Sequence, residues 1–197
     1  MDGVTKKMYG KNLLVNLQEL ERKVQNGSYR PQAKREVLIP KSSGKTRPIA
    51  IACFEDKLVD WVVSKILTQI YEPIFSKSSF GYRPNCSAQG AIRKSYKSLH
   101  KNKRRYVLEI DFSNFFNTIS HKKMMKILKR KIKDVRFKRL IGRFLVSETY
   151  RMGETLPSEI GTPQGSIMSP ILANIFLNEV IDPVSYTHLT LPTNLCV

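Results

Sequence analysis

Tyr106-Val107-Leu108-Glu109-Ile110-Asp111-Phe112, followed by Ser113-Asn114-Phe115-Phe116, is the stretch on which the fold turns. It alternates and is rich in strand formers, which predicts a central β-strand ending at Asp111 or just after it. A carboxylate at the end of so apolar a strand is costly to desolvate unless a cation or hydrogen-bond donors meet it. Glu109 lies two residues earlier and falls on the same face by strand alternation. Together the two carboxylates have the oxygen chemistry to hold a hard divalent metal. A solvated strand end is the competing reading, and this stretch alone leaves both open.

Upstream, Leu13, Leu14, Leu17, Leu20 and Val24 recur at three and four, predicting a helix over 11–25 that Asn26-Gly27 ends. Residues 36–40 and 47–51 read as two short strands around the polar loop 41–46, a basic hairpin. Residues 54–70 carry Leu58, Val62, Ile66 and Ile70 every fourth position, with Val59 and Trp61 beside them. That stripe predicts a buried helix. A loop follows over 76–87 and a helix over 88–99. Downstream, helices are expected over 121–132, 135–148 and 167–181, with weak strand candidates at 150–152 and 158–161. The order fits an α+β domain whose small sheet is covered by helices and is one strand short.

With 197 residues the chain has room for one domain, and 41% hydrophobic against 25% charged residues gives enough apolar surface for a core. Thirty-four Lys and Arg against 16 Asp and Glu leave a formal charge of +18, a balance suited to a polyanionic partner. No apolar stretch approaches the roughly 18 to 20 residues that cross a bilayer, and the N-terminus has no signal-like apolar run. Cys53, Cys86 and Cys196 are too scattered for a disulfide framework, and the three histidines lack ligand spacing. A reduced, cytoplasmic protein without structural zinc or membrane contact is expected. His100 and His121 are read as surface or capping residues. The string Val184-Ser185-Tyr186-Thr187-His188-Leu189-Thr190-Leu191-Pro192-Thr193 carries no charge. It looks like a translated sequencing adaptor, so 184–197 are expected to be non-native, with a genuine polar tail as the alternative.

Residues 109–121, EIDFSNFFNTISH, resemble the first catalytic motif of reverse transcriptases, particularly those of bacterial group II introns. Ile39-Pro40-Lys41-Ser42-Ser43-Gly44-Lys45-Thr46-Arg47-Pro48 resembles the family's fingertip hairpin, and Ser79-Phe80-Gly81-Tyr82-Arg83-Pro84 its next block. Gly161-Thr162-Pro163-Gln164-Gly165-Ser166-Ile167-Met168-Ser169-Pro170 resembles the block that precedes the active-site turn. Four motifs in order cover about 29–182. The resemblance implies an RNA-directed DNA polymerase with right-hand fingers and an incomplete palm over residues 1–183. RNA template, DNA primer and dNTPs are the implied partners and Mg²⁺ the implied cofactor, held by Asp111 and the Phe112 carbonyl.

Further roles follow from the resemblance. Lys41 and Arg47 would clamp the triphosphate, Arg as a fork and Lys as a point charge, with a solvated basic turn as the alternative. Phe115 would pack under the sugar and exclude a 2′-hydroxyl, or be core, or both. Gln164 would reach the nucleotide from a loop whose glycines let backbone approach a ligand, against an ordinary helix-entry loop. Tyr82 and Arg83 would grip the template, against a buried Tyr with a surface Arg. The family's aromatic-x-Asp-Asp turn is missing, since no Asp-Asp pair occurs anywhere. The chain is therefore expected to be inactive alone. A non-catalytic, maturase-like protein that binds intron RNA and assists splicing is the second hypothesis; a generic basic RNA-binding protein would leave the four ordered motifs unexplained.

Overall fold

The computed structural model describes residues 3–40, 44, 46–101, 109, 111–151, 153–162 and 165–180. Two helices open the chain: α1 (Lys6–Gly10), capped by the Thr5 hydroxyl, and α2 (Leu13–Gln25). Strands β1 (Lys34–Pro40) and β2 (Thr46–Ile51) form the expected hairpin, with Ile39 opposite Arg47 and Pro40 opposite Thr46. Helix α3 (Phe54–Tyr71) runs into a single 3₁₀ turn at Glu72–Ile74. Then come α4 (Ala88–Lys101), the short α5 (Phe115–Thr118), α6 (His121–Lys131) and α7 (Val135–Leu145). Ser120 caps α6 and Asp134 caps α7, each accepting a bond from the backbone N–H three residues on. Strands β3 (Thr149–Arg151) and β4 (Glu154–Leu156) precede α8 (Ser169–Val180).

The protein is thus α+β with one small sheet, ordered β2-β1-β3-β4. Pairing is antiparallel within each hairpin and parallel at the joint, where Lys34 lies opposite Thr149 and Arg35 opposite Tyr150. A parallel joint needs a long crossover, and the chain from β2 through α7 supplies it. The second hairpin closes tightly at Gly153, so its return strand is 154–156 and not the expected 158–161. The predicted strand over 106–112 falls largely outside the described residues. Glu109, Asp111 and Phe112 are described and lie in irregular, exposed backbone. Among the described residues no strand pairs with them, so the ladder bonds that would make a strand there are missing.

The core gathers Leu20, Val63, Leu67, Met124, Leu128, Ile141, Phe144, Leu172 and Ile175 from α2, α3, α6, α7 and α8. Helix α3 meets this core with a face other than the predicted one. Val62, Ile66 and Ile70 are exposed and Trp61 is 52% accessible, whereas Asp56, Val59, Asp60, Val63, Leu67 and Tyr71 are buried. The buried stripe contains two carboxylates, which hydropathy places outside. They are tolerated there because each finds hydrogen-bond donors. Tyr29 Oη–H and the Gln32 amide donate to Asp56; Ser166 Oγ–H and the Ile167 and Met168 amides donate to Asp60. Among the described residues no helix is long and apolar enough to cross a membrane.

Candidate active site

Asp111 and Phe112 leave the irregular passage just before Asn114, whose left-handed backbone (φ 53°) turns the chain into α5. Asn tolerates that conformation better than most side chains. The turn delivers an aromatic cluster. The Phe115 ring lies 6.0 Å from Phe112, 6.0 Å from Phe116 and 6.2 Å from Phe176 of α8, the last two edge-on. Phe115 is partly buried against the core and also faces a cavity of about 850 Å³. Phe115 thus packs on the core and lines the cavity at once.

That cavity joins two of the motifs. Thr46, Arg47 and Pro48 of β2 form one wall, and Asp111, Phe112, Asn114, Phe115, Phe116 and Asn117 form another, with Leu177 of α8 behind. Arg47, Asp111, Phe112 and Phe115 are thus brought together around one space. Lys41 and Gln164 lie outside the described residues. The Asp111 carboxylate and Phe112 carbonyl are hard oxygen donors of the kind a divalent cation takes. The donor type fits, but the set is incomplete: among the described residues no group of three or more acidic, His or Cys side chains could hold a metal.

The loop that leads to Gln164 is fastened on both sides. The Gly161 amide donates to Ile119 O (2.8 Å) and the Thr162 amide to Phe116 O (2.7 Å). His121 Nε2 lies 2.5 Å from Gly161 O, so this histidine ties the loop to α6. Gly161 (φ 88°) sits so close to Asn117 that a Cβ would stand 2.8 Å from its backbone. Gly165 (φ 104°) abuts β2, where a Cβ would meet Ala50 O at 2.6 Å. Both glycines are required by close approach to the protein's own backbone. Their expected purpose, approach to a ligand, is not what these contacts display.

Beyond Gly165 the chain is caught by Asp60. Its carboxylate accepts from Ser166 Oγ–H (2.8 Å), Ile167 N–H (2.8 Å) and Met168 N–H (3.0 Å). Burial pushes this carboxyl above its ordinary range, opposed by the Ser166 and Ile167 hydrogen bonds, the Lys34 charge and the Met168 amide. Lys34 is 1% exposed and donates to Ser147 Oγ (2.7 Å) and Phe144 O (3.4 Å). Burial pushes it down to about 8, against the raising effect of Asp60 and Asp56. Sequence reading missed Asp56, Asp60 and Lys34. The available signal was two carboxylates four apart on a helix, beside the apolar residues Val59 and Val63.

Tyr82 and Arg83 do not line this cavity. Tyr82 is 76% exposed in left-handed backbone (φ 54°). Arg83 is turned inward: its guanidinium pairs with Glu72 (2.8 Å), donates to Ser76 O (2.6 Å) and Ser79 O (2.7 Å), and lies over the Phe75 ring. The loop is further held to α8 by Asn174 Nδ2–H donating to Gly81 O. An inward-turned, half-buried Arg beside an exposed Tyr reverses the structural alternative considered above. The guanidinium supplies enough donors to satisfy several loop carbonyls, which a Tyr hydroxyl does not.

Residues 39–196 match the family model described as reverse transcriptase (RNA-dependent DNA polymerase). Protein YkfC of Escherichia coli (strain K12) is 37% identical over 182 residues, which cover 91% of this chain and 48% of that protein. Group II intron-encoded protein LtrA of Lactococcus lactis subsp. cremoris is 35% identical over 165 residues, covering 83% of this chain and 27% of LtrA. The chain thus spans about half the length of one curated relative and about a quarter of the other. Among solved structures, a chain of a partial Cas6-RT-Cas1–Cas2 complex superposes with a TM-score of 0.60 at 20% identity, covering 94% of this chain and 31% of that one. The last likeness concerns the fold alone.

Proposed function

The chain belongs to the reverse transcriptase (RNA-dependent DNA polymerase) family, and from that premise we propose that it forms the fingers and part of the palm of an RNA-directed DNA polymerase from a group II intron or related retroelement. The carrying observation is the cavity where Arg47 of the hairpin faces Asp111, Phe112 and Phe115. A dNTP has about four negative charges to neutralise, and an Arg fork suits its phosphates. In this reading Lys41 adds a second cation, and Gln164 orients the nucleotide from its fastened loop. Phe115, held by Phe112, Phe116 and Phe176, is the wall under the sugar that a 2′-hydroxyl would strike. Exposed Tyr82 stacks on the template, while Arg83 braces the Tyr82 loop.

Asp111 and the Phe112 carbonyl would hold Mg²⁺, which supplies Lewis-acid activation of the primer 3′-hydroxyl and charge relief at the leaving pyrophosphate. A two-metal site needs further carboxylates, and this sequence has no Asp-Asp pair. We therefore assign no polymerase activity to the 197-residue chain. We also assign residues 184–197 to a non-native tail because ten consecutive positions lack charge, although the family match runs to residue 196.

Asp111→Asn in the full-length protein tests the reading. The expected result is loss of DNA synthesis with RNA affinity unchanged. The second reading is an RNA-binding protein that assists splicing, favoured by the +18 charge and by the intron-encoded relative. Absence of DNA synthesis by the full-length protein itself, with RNA affinity unchanged in Asp111→Asn, would leave only that one.

A further inference from the structure

Outside the polymerase cavity, α7 lies along the C-terminal end of α2 and encloses a cleft of about 430 Å³ that shares no lining residue with the cavity around Asp111. Val24, Phe137 and Leu140 give it an apolar floor, and Arg136 and Arg143 stand at its wall. Arg136, Arg139 and Arg143 recur at i, i+3 and i+7, so they share one face of α7. Arg30 reaches the same place from the chain after α2. Arg143 Nη1 donates to Gly27 O (2.7 Å) and Tyr29 O (2.9 Å), and Arg30 Nη1 donates to the same two oxygens at 3.2 and 3.1 Å. Arg136 Nη1 donates to Gln25 O (3.3 Å).

Two guanidiniums that share two carbonyl oxygens are crowded like charges. Carbonyl dipoles orient them without neutralising them. Burial and the neighbouring Arg30 and Arg139 charges push the Arg143 guanidinium below its ordinary value. Asp134 also lines the cleft, where its carboxylate caps α7 through the Phe137 N–H and its charge acts on Arg136 without a contact close enough for an ion pair. Among the described residues none of these four arginines forms an ion pair. The helix-end carbonyls hold the forks in place, and their remaining N–H groups are donors for an anion.

We propose that this cleft is a second nucleic-acid site, in which Arg30, Arg136, Arg139 and Arg143 bind the phosphodiester backbone of RNA while the Val24, Phe137 and Leu140 floor receives the ribose. Phosphate suits the guanidinium fork, and such contacts add affinity without reading sequence. RNA is the strand this family copies, but the site does not depend on whether the chain polymerises.

Binding of the 197-residue chain to a labelled RNA duplex is measured from 50 to 300 mM salt. The triple variant Arg136→Gln, Arg139→Gln, Arg143→Gln is expected to bind roughly tenfold more weakly near 0.1 M salt, with the slope of log K against log salt reduced by about 2. The variant Lys122→Gln, Lys123→Gln, Lys126→Gln removes the same charge from exposed positions of α6 and is expected to change affinity less than threefold. Equal losses in the two triples would overturn the proposal, because overall charge would then explain both. Arg139 takes no part in the carbonyl bonds, so Arg139→Glu keeps the test available if the triple variant fails to fold; roughly fivefold weaker binding is expected, and no change counts against the site. Polyglutamate is the competitor: displacement of RNA at equal charge, lost in the α7 variants, would reassign the cleft to an acidic protein.

Discussion

Asp60 joins parts of the chain more than a hundred residues apart, since one carboxylate takes the Ser166 hydroxyl and the Ile167 and Met168 amides. Removing it strands two buried donors and a part-buried one, a buried donor costing about 1 to 3 kcal/mol when unpaired. Asp60→Ala is expected to lower stability by about 3 to 5 kcal/mol in urea unfolding, and Asp60→Asn by less, because the amide keeps one acceptor oxygen. Lys34, the first residue of β1 and 1% exposed, gives a pH signature. Its folded pKa of about 8 lies below the ordinary value of 10.5, so between these two values the unfolded chain holds a proton that the folded one has released. Stability then rises with pH across that window and the burial cost is fully felt below it. Lys34→Met is expected to abolish a rise of about 2 to 3 kcal/mol between roughly pH 8 and 10.5. Parallel pH curves for the two proteins would show that Lys34 titrates normally.

At the scale of elements, α3 explains why an apolar stripe misled. Leu58, Val62 and Ile66 line an outer groove of about 390 Å³ with Leu17 and Val24 of α2 and Phe137 of α7, while the inner face carries Asp56 and Asp60. Hydropathy sees only transfer cost; it does not see donors that arrive from residues 29–32 and 166–168. Val62→Glu with Ile66→Glu is expected to shift stability by no more than about 1 kcal/mol. Val63→Glu, at a position 1% exposed, should cost more than about 3 kcal/mol in the same denaturation series. Comparable losses at the two sites would mean that the outer stripe is covered. The two hairpins were unequal in legibility. β1 and β2 announced themselves by polar turn chemistry and flanking apolar runs, whereas β3 and β4 are three residues each and exist through pairing with β1.

For the whole molecule, the expected outcome with template-primer, dNTPs and Mg²⁺ is no primer extension by the purified 197-residue chain; extension above background would defeat that assignment. Its +18 charge and family were readable without coordinates. Charge is additive over residues, and short motifs such as Phe80-Gly81-Tyr82-Arg83-Pro84 keep their identity in any conformation. Helix positions were readable as well, because amphipathic spacing is local. Tertiary structure alone decided that Arg47 and Asp111 share a cavity, that Arg83 turns inward while Tyr82 faces solvent, and that Gly161 and Gly165 serve backbone contacts with Asn117 and Ala50. It also decided that Arg30, Arg136 and Arg143 meet at carbonyls at and just past the end of α2, with the Arg139 charge acting on Arg143. Each of these depends on partners distant in sequence, and the energy of burying or pairing a polar group is fixed by those partners and not by its neighbours along the chain.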